Sequence, residues 1–400
     1  MSQPATPLAA TSLQALPSRP HMTQRSIVSP HDQSATFVEL FFDLVFVFGI
    51  TQVVGVLHHD LSWPGALRAV LVFWLVWWAW TQFTWALNSA DTEHPWIQFA
   101  TLVATAVAFF MAVAVPEAFQ GGALWFGGPY VLVRLIGLAV YVSVMRENEE
   151  GRKAVTSFGM LSVGGLAAVV MGAVGPDSSQ VMFWLLVVIL DFIAAGVAGR
   201  GAWGLHPEHF AERHGLIVII ALGESLIVAA SGLVGAERTP GVLLVGGLAV
   251  AITCVLWWVY FPVAKPELES ALVAVDREGQ GALARDVFSF AHFPILCGVI
   301  AYAVAIEGAV AHPGDPLPGT ERVALALGLF LFVGGLVLAL RRASCRSRGA
   351  RLSRVVVSVV TAGVILTLSG VSALVSLGIA LAGVLVVAVQ EESLAGRLAD

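Results

Sequence analysis

Charge is what this 400-residue chain has least of: Asp, Glu, Lys and Arg make up 12% of it, against 58% hydrophobic residues. Water-soluble domains carry roughly a quarter charged residues, so this chain holds about half of what a soluble surface requires. Lipid must be its solvent. The 27 acidic and 21 basic residues leave a net charge of -6, and no basic patch interleaved with aromatics occurs, which excludes nucleic acid as a partner. Cysteine is scarce as well. Cys254, Cys297 and Cys345 show no CxxC or Cys/His spacing and are odd in number for a disulfide framework, so they read as packing residues. Glycine is plentiful, yet Gly121-Gly122 and Gly127-Gly128 form no phosphate-binding motif, so neither ATP hydrolysis nor a cofactor is expected. Residues 1–34 lack the apolar core of a signal peptide and are rich in Ser, Pro, Gln and Thr; they read as a disordered cytoplasmic tail.

What the chain does have is long apolar segments. A membrane-crossing helix needs about 20 mainly apolar residues. Segments of that kind run near 36–57, 66–88, 97–116, 123–145, 155–174, 180–199, 214–235, 241–263, 286–311 and 322–340, and 355–390 is long enough for two with a break at Ser369–Gly370. The fold class is an all-α polytopic transmembrane bundle of about twelve spans. Lys and Arg collect on the cytoplasmic side of membrane proteins. Arg146, Arg152 and Lys153, then Arg200, then Lys265, Arg277 and Arg285, and finally Arg341 to Arg354 share one face if both termini are cytoplasmic. A multi-pass membrane protein with that orientation is expected.

The halves resemble each other faintly. Phe37-Val38-Glu39 opens span one and Phe210-Ala211-Glu212 opens span seven; Val76-Trp77-Trp78-Ala79-Trp80 in span two parallels Leu256-Trp257-Trp258-Val259-Tyr260 in span eight. Span three, from Phe99-Ala100 to Glu117, parallels span nine, from Phe290-Ala291 to Glu307. Six spans per half give both halves the same orientation, a parallel repeat whose interface is where transporters place their substrate. The chain then divides into a first half at 35–199, a polar cytoplasmic entry at 200–213, a second half at 214–392 and a C-terminal tail at 393–400.

Ionisable groups in hydrocarbon are costly and usually face a protein interior or a watery cavity. Here they are few: Glu39 and Asp43 on one face of span one, Arg134 in span four, Asp191 in span six, Glu224 in span seven, and His292 and Glu307 in span nine. These are the transport or proton-relay candidates. The alternative pairs the acids with Arg134 or Arg213 in structural ion pairs. The stretch His206 to His214 is the densest polar cluster, and His209, Glu212, Arg213 and His214 are candidates for a cytoplasmic gate. A metal on His209, Glu212 and His214 is the weaker reading, because the HExxH order is absent and Arg213 would oppose a cation. The tryptophans recur at helical spacing and read as packing.

The stretches Phe37-Val38-Glu39-Leu40-Phe41-Phe42-Asp43 and His209-Phe210-Ala211-Glu212-Arg213-His214-Gly215, continuing to Gly223-Glu224-Ser225, resemble the signatures of the bacterial low-temperature-requirement A (LtrA) family, and His292-Phe293-Pro294 through Glu307 extends the likeness. The resemblance implies a bacterial multi-pass inner-membrane protein of a family named for growth in the cold. It implies no particular substrate. Three functions stay open: a secondary transporter of a cation or proton-coupled small solute, a membrane sensor or scaffold, and an intramembrane metalloenzyme. Lipid is the expected partner, and a homo-oligomer is compatible with the sequence.

Overall fold

The computed structural model describes residues 26–29, 33–147, 149–198, 204–343 and 348–399. Apart from two isolated bridges, the regular structure there is helical. Six helices form the first half: α1 (Phe37–His59), α2 (Trp63–Asn88), α3 (Pro95–Val113), α4 (Ala123–Val144), α5 (Glu149–Val174) and α6 (Asp177–Ala198). The second half begins with α7 (Pro207–Gly235) and α8 (Pro240–Trp258), which runs on through a π-helical turn at Val259–Ala264 into α9 (Lys265–Ala274). It continues with α10 (Arg277–Ala284), a second π-helical turn at Arg285–Phe290 and α11 (His292–Ala311), then α12 (Gly319–Arg342), α13 (Arg348–Thr367) and α14 (Ala373–Ala399).

Among the described residues, eleven helical segments are long and apolar enough to cross a bilayer; the apolar part of α13, Leu352–Thr367, is shorter. The chain breaks between α13 and α14 at Ser369–Gly370, as the sequence suggested. Several boundaries differ from the sequence reading. The polar stretch from Pro207 to Arg213 forms the first turns of α7, because Pro207 with its fixed φ starts the helix there. The segment read as a C-terminal tail continues α14 to Ala399. Spans eight and nine are longer than their apolar cores. Pro262 removes one backbone donor inside the first π turn, and the wider turn accommodates the loss. Of the segment read as a disordered tail, 1–25 and 30–32 lie outside the described residues, as do Arg200, Cys345 and Arg346. That reading does not hold for Ser26–Ser29, where Ser29 N–H donates to Ser89 O at 3.0 Å and Asp91 N–H to Ile27 O at 2.9 Å.

Helix α2 is central, 89% of its apolar window being buried, and it packs against α1, α4, α6, α7 and α11. The packing repeats between halves as a parallel duplication requires. Contacts α1–α2, α1–α3, α3–α4, α4–α5, α5–α6 and α2–α6 have as counterparts α7–α8, α7–α11, α11–α12, α12–α13, α13–α14 and α8–α14. The halves meet where α1 and α2 lie against α7 and α11.

Lipid tails supply no hydrophobic drive between helices, so close packing must hold them together. The α11–α12 seam shows how. A Cβ at Gly298 would lie 2.6 Å from the Gly328 carbonyl oxygen, and one at Gly328 would lie 2.8 Å from the Tyr302 nitrogen. Backbone meets backbone there, and no flexible side chain can give way. Gly298→Leu is expected to destabilise the fold by at least the roughly 1–3 kcal/mol of ordinary overpacking, read as a lowered thermal midpoint of the purified protein. Gly334→Ala, with open space around its Cβ position, should leave that midpoint unchanged.

Candidate functional site

The first turn of α1 supplies the first acid of the site. Glu39 accepts the N–H and the O–H of Thr36 on Oε2, both at 2.9 Å, the reach-back of a capping box. Asp43 follows one turn later on the same face. From across the interface Arg213 of α7 donates one N–H to Glu39 and another, at 2.6 Å, to Asp43 Oδ1. All three side chains are 0% exposed. The indole N–H of Trp80 on α2 donates to the same Asp43 oxygen at 2.7 Å, and the guanidinium lies 5.9 Å from the Trp80 ring centroid.

Two histidines of α7 extend this cluster in opposite directions. His209 Nε2 lies 3.1 Å from Glu39 Oε1, and its Nδ1 lies 3.0 Å from the Asn88 amide nitrogen. His214 Nδ1 sits 2.9 Å from the Phe210 carbonyl oxygen, which only accepts, so Nδ1 carries the hydrogen. The His214 ring is enclosed by Trp80, Phe210, Phe288 and His292, with centroids 5.0, 4.5, 5.2 and 5.3 Å away. Both π turns end at this chamber. Tyr260 from the first donates its O–H to His292 Nε2 at 2.8 Å, and Val287 from the second accepts from His292 Nδ1 at 2.9 Å.

A second buried pair lies within the first half. Arg134 of α4 faces Asp191 of α6 at 3.4 Å, both 1% exposed. Gln82 accepts from Arg134, Tyr130 and Ser162 accept at 2.5 and 3.4 Å, and Trp74 N–H donates to Asp191 Oδ2 at 3.2 Å. One cation meets one anion, with polar groups filling the remaining positions. Glu224 differs from both. It is 3% exposed, Thr51 is its polar neighbour, and among the described residues Oε1 has no hydrogen-bond partner.

The structure separates other candidates from this cluster. Glu307 sits at the opposite end of the bundle, 44% exposed and 3.2 Å from His58 Nδ1. Glu212 points away from Arg213 and accepts the Ala35 N–H at 2.9 Å. It lines an open polar cavity of about 600 Å³ together with Gln33, His206, Glu208, His209 and Lys265. His209 and Glu212 both border that cavity but are held by different partners, His214 faces the aromatic chamber, and no group of three metal-ligating residues occurs among the described residues. The metal reading of those three is corrected accordingly: a helix spaces them along its surface, but the neighbouring helices take each one separately. Sequence reasoning missed Asn88, Trp74, Trp80 and Tyr260 as hydrogen-bond donors. The alignment of Trp80 with Tyr260 between the halves was the available signal.

The model of the family described as Bacterial low temperature requirement A protein (LtrA) matches residues 34–389. The chain belongs to that family. A similar protein of Rhizobium meliloti (strain 1021), "Uncharacterized protein RA0937", is 30% identical over 325 residues, 78% of each chain. No solved structure matches this chain. In this LtrA chain the matched region contains the buried cluster, the Arg134–Asp191 pair and Glu224 alike.

Removing one partner of a buried ion pair leaves an uncompensated charge, at about 3–5 kcal/mol. Arg213→Ala should therefore lower stability by that order, measured by thermal or denaturant unfolding in detergent. Glu212→Ala, outside the cluster and half-buried, should stay within roughly 0.5 kcal/mol of wild type, as surface substitutions do.

Proposed function

We propose that this LtrA protein is a secondary transporter of the bacterial inner membrane that moves a cation or a proton-coupled small solute, with both termini cytoplasmic. The observation that carries this reading is the charge count of the cluster between the halves. Glu39 and Asp43 bring two potential negative charges, and Arg213 brings one positive charge. A surplus charge buried among apolar helices is costly, so the cluster must hold one more cation or a proton. The cluster spans α1 and α2 of one half and α7 of the other, and repeat interfaces are where alternating-access proteins bind their ions. Relative movement of the halves would make and break the contacts of Arg213. The orientation follows the positive-inside rule: Arg146, Arg152, Lys153, Lys265, Arg277, Arg285, Arg341 and Arg342 belong to the face where α1 begins, and Arg68, Arg238 and Arg322 to the other.

Glu224 is the second station. It lies eleven positions beyond Arg213, roughly 16 Å further along the helix at 1.5 Å per residue. Among the described residues no basic residue holds it, so it stays neutral by carrying a proton or binds a cation during the cycle.

A second reading is favoured by the Arg134–Asp191 pair. Its one-to-one charge balance and filled hydrogen bonds suit a rigid frame, and a sensor or scaffold would use the bundle in that way. The scaffold reading expects no flux and a partner bound at the arginine-rich segment 341–354. Protein reconstituted in liposomes with an internal pH-sensitive dye and an imposed potential separates the two. Proton or monovalent-cation flux is expected from the wild type, and Glu224→Gln should abolish it. Wild-type vesicles no leakier than empty ones, towards protons, sodium or potassium, would overturn the transporter reading.

A further inference from the structure

We infer that the extra positive charge of the interface cluster is a proton held on Asp43, which makes Asp43 Oδ2 the proton-binding atom of the site. This rests on the transporter reading only for its use in transport; the assignment itself follows from hydrogen-bond donors and acceptors. Four positions could carry the proton: His209, Glu39, Asp43 and His214.

His209 is held neutral by Asn88. The Asn88 amide is pinned at two points by the His206 backbone: His206 N–H donates to Asn88 Oδ1 at 2.8 Å, and Asn88 Nδ2 donates to His206 O at 3.0 Å. Those contacts fix which end of the amide is nitrogen. The same Nδ2 faces His209 Nδ1 at 3.0 Å, so that ring nitrogen must accept and carries no hydrogen. The single ring hydrogen is on Nε2 and is donated to Glu39. A charged imidazolium would set two donors against each other at Asn88.

Glu39 is held ionised. It accepts from Arg213, from His209 Nε2, and from both the N–H and the O–H of Thr36. Four donors fill the acceptor capacity of a carboxylate and leave no position for a proton of its own. His214 faces aromatic rings and His292, with Arg213 as its chain neighbour, so a second positive charge there would meet a cation and no anion. His292 accepts from Tyr260 and donates to Val287, and both of its nitrogens are occupied.

Asp43 remains. Among the described residues the two donors that reach it, Trp80 Nε1 and Arg213, converge on Oδ1, while Oδ2 is buried without a partner. That asymmetry leaves Oδ2 as the one oxygen of the two acids that no donor claims, and so the position open to a proton. With the proton on Oδ2 the cluster sums to Glu39⁻, Arg213⁺ and a neutral Asp43. Loss of the proton breaks the Oδ2–H bond and returns one negative charge to the interface. Release must then be matched by a cation entering or by Arg213 changing partners, which ties proton movement to movement of the halves.

Infrared spectroscopy of the purified full-length protein tests this. The Glu224→Gln background is used so that the other lone carboxyl does not contribute. The expected result is a carboxylic-acid C=O band, about one carboxyl per chain, that persists at mildly alkaline pH, shifts on exchange into D2O and disappears when Asp43→Asn is added. Asp43→Asn, the neutral isostere of the protonated acid, should also unfold at the same temperature as its parent, whereas Glu39→Gln should unfold lower. An absent band, a band that survives Asp43→Asn, or an Asp43→Asn protein that does not fold would each overturn the assignment. Flux is read separately in wild-type protein with Glu224 intact, because Glu224→Gln is itself expected to abolish it. A band without flux keeps the proton on Asp43 and removes the transporter reading; flux without the band does the reverse.

Discussion

The guanidinium of Arg213, donating to Glu39 and to Asp43 across the boundary between two halves, is the interaction on which the rest of the bundle is organised. Stability alone does not call for it. Buried ion pairs recover their desolvation cost only with good geometry and further hydrogen bonds, and apolar residues of similar volume often serve as well. In lipid the argument is sharper, because the rest of α1 and α7 could pack without any charge. The chain nevertheless surrounds these three side chains with Thr36, Trp80, His209 and Asn88, each satisfying one direction of the cluster. A structure that commits so many side chains to holding an unbalanced set of charges is built around that imbalance.

The two arginines show how the same residue type serves two ends. Arg134 meets a single acid inside one half, where Gln82, Tyr130 and Ser162 complete its shell, and nothing in that pair asks for another ion. Arg213 meets two acids, contributed by the other half. The first arrangement fixes neighbouring helices within a rigid unit. The second is shared between units and changes its charge whenever a proton comes or goes. The π turns support the same division. They lie in spans eight and nine, and each turns a buried group towards the His214 chamber, Tyr260 from the first and Val287 from the second.

Much of this was legible in the sequence, and the limit has a physical cause. Length and hydropathy located the helices because the bilayer imposes both, and the break at Ser369–Gly370 was readable for the same reason. The parallel repeat could be read from aligned motifs, and the helix packing repeats with it. Glu39, Asp43, Arg213, Arg134 and Asp191 were recognisable as costly residues, but not who pairs with whom. That depends on α1 lying against α7 and α4 sharing a core with α6, which no spacing rule encodes. Neighbours in sequence parted for the same reason. Glu212 and Arg213 are adjacent, yet a helix turns them about 100° apart, so one faces an open cavity and the other the cluster. Trp74 and Trp80 read as packing because their periodicity is that of a packed helix; their N–H groups emerged as donors only once acids from other helices lay opposite.

Asn88 shows most clearly what such a site requires. It bears no charge, ends a helix of aromatic residues, and offers nothing to a search for ionisable groups. Held by the His206 backbone on one side, its amide determines which nitrogen of His209 carries hydrogen, and so determines where the cluster can store a proton. A histidine beside a carboxylate ordinarily takes the charge itself, and the cluster would then be neutral and closed to exchange. Denying His209 that role leaves the surplus on an aspartate pressed between an indole and a guanidinium from the opposite half. The proton is thereby placed at the boundary between the halves, where its arrival or departure acts directly on the contact that joins them.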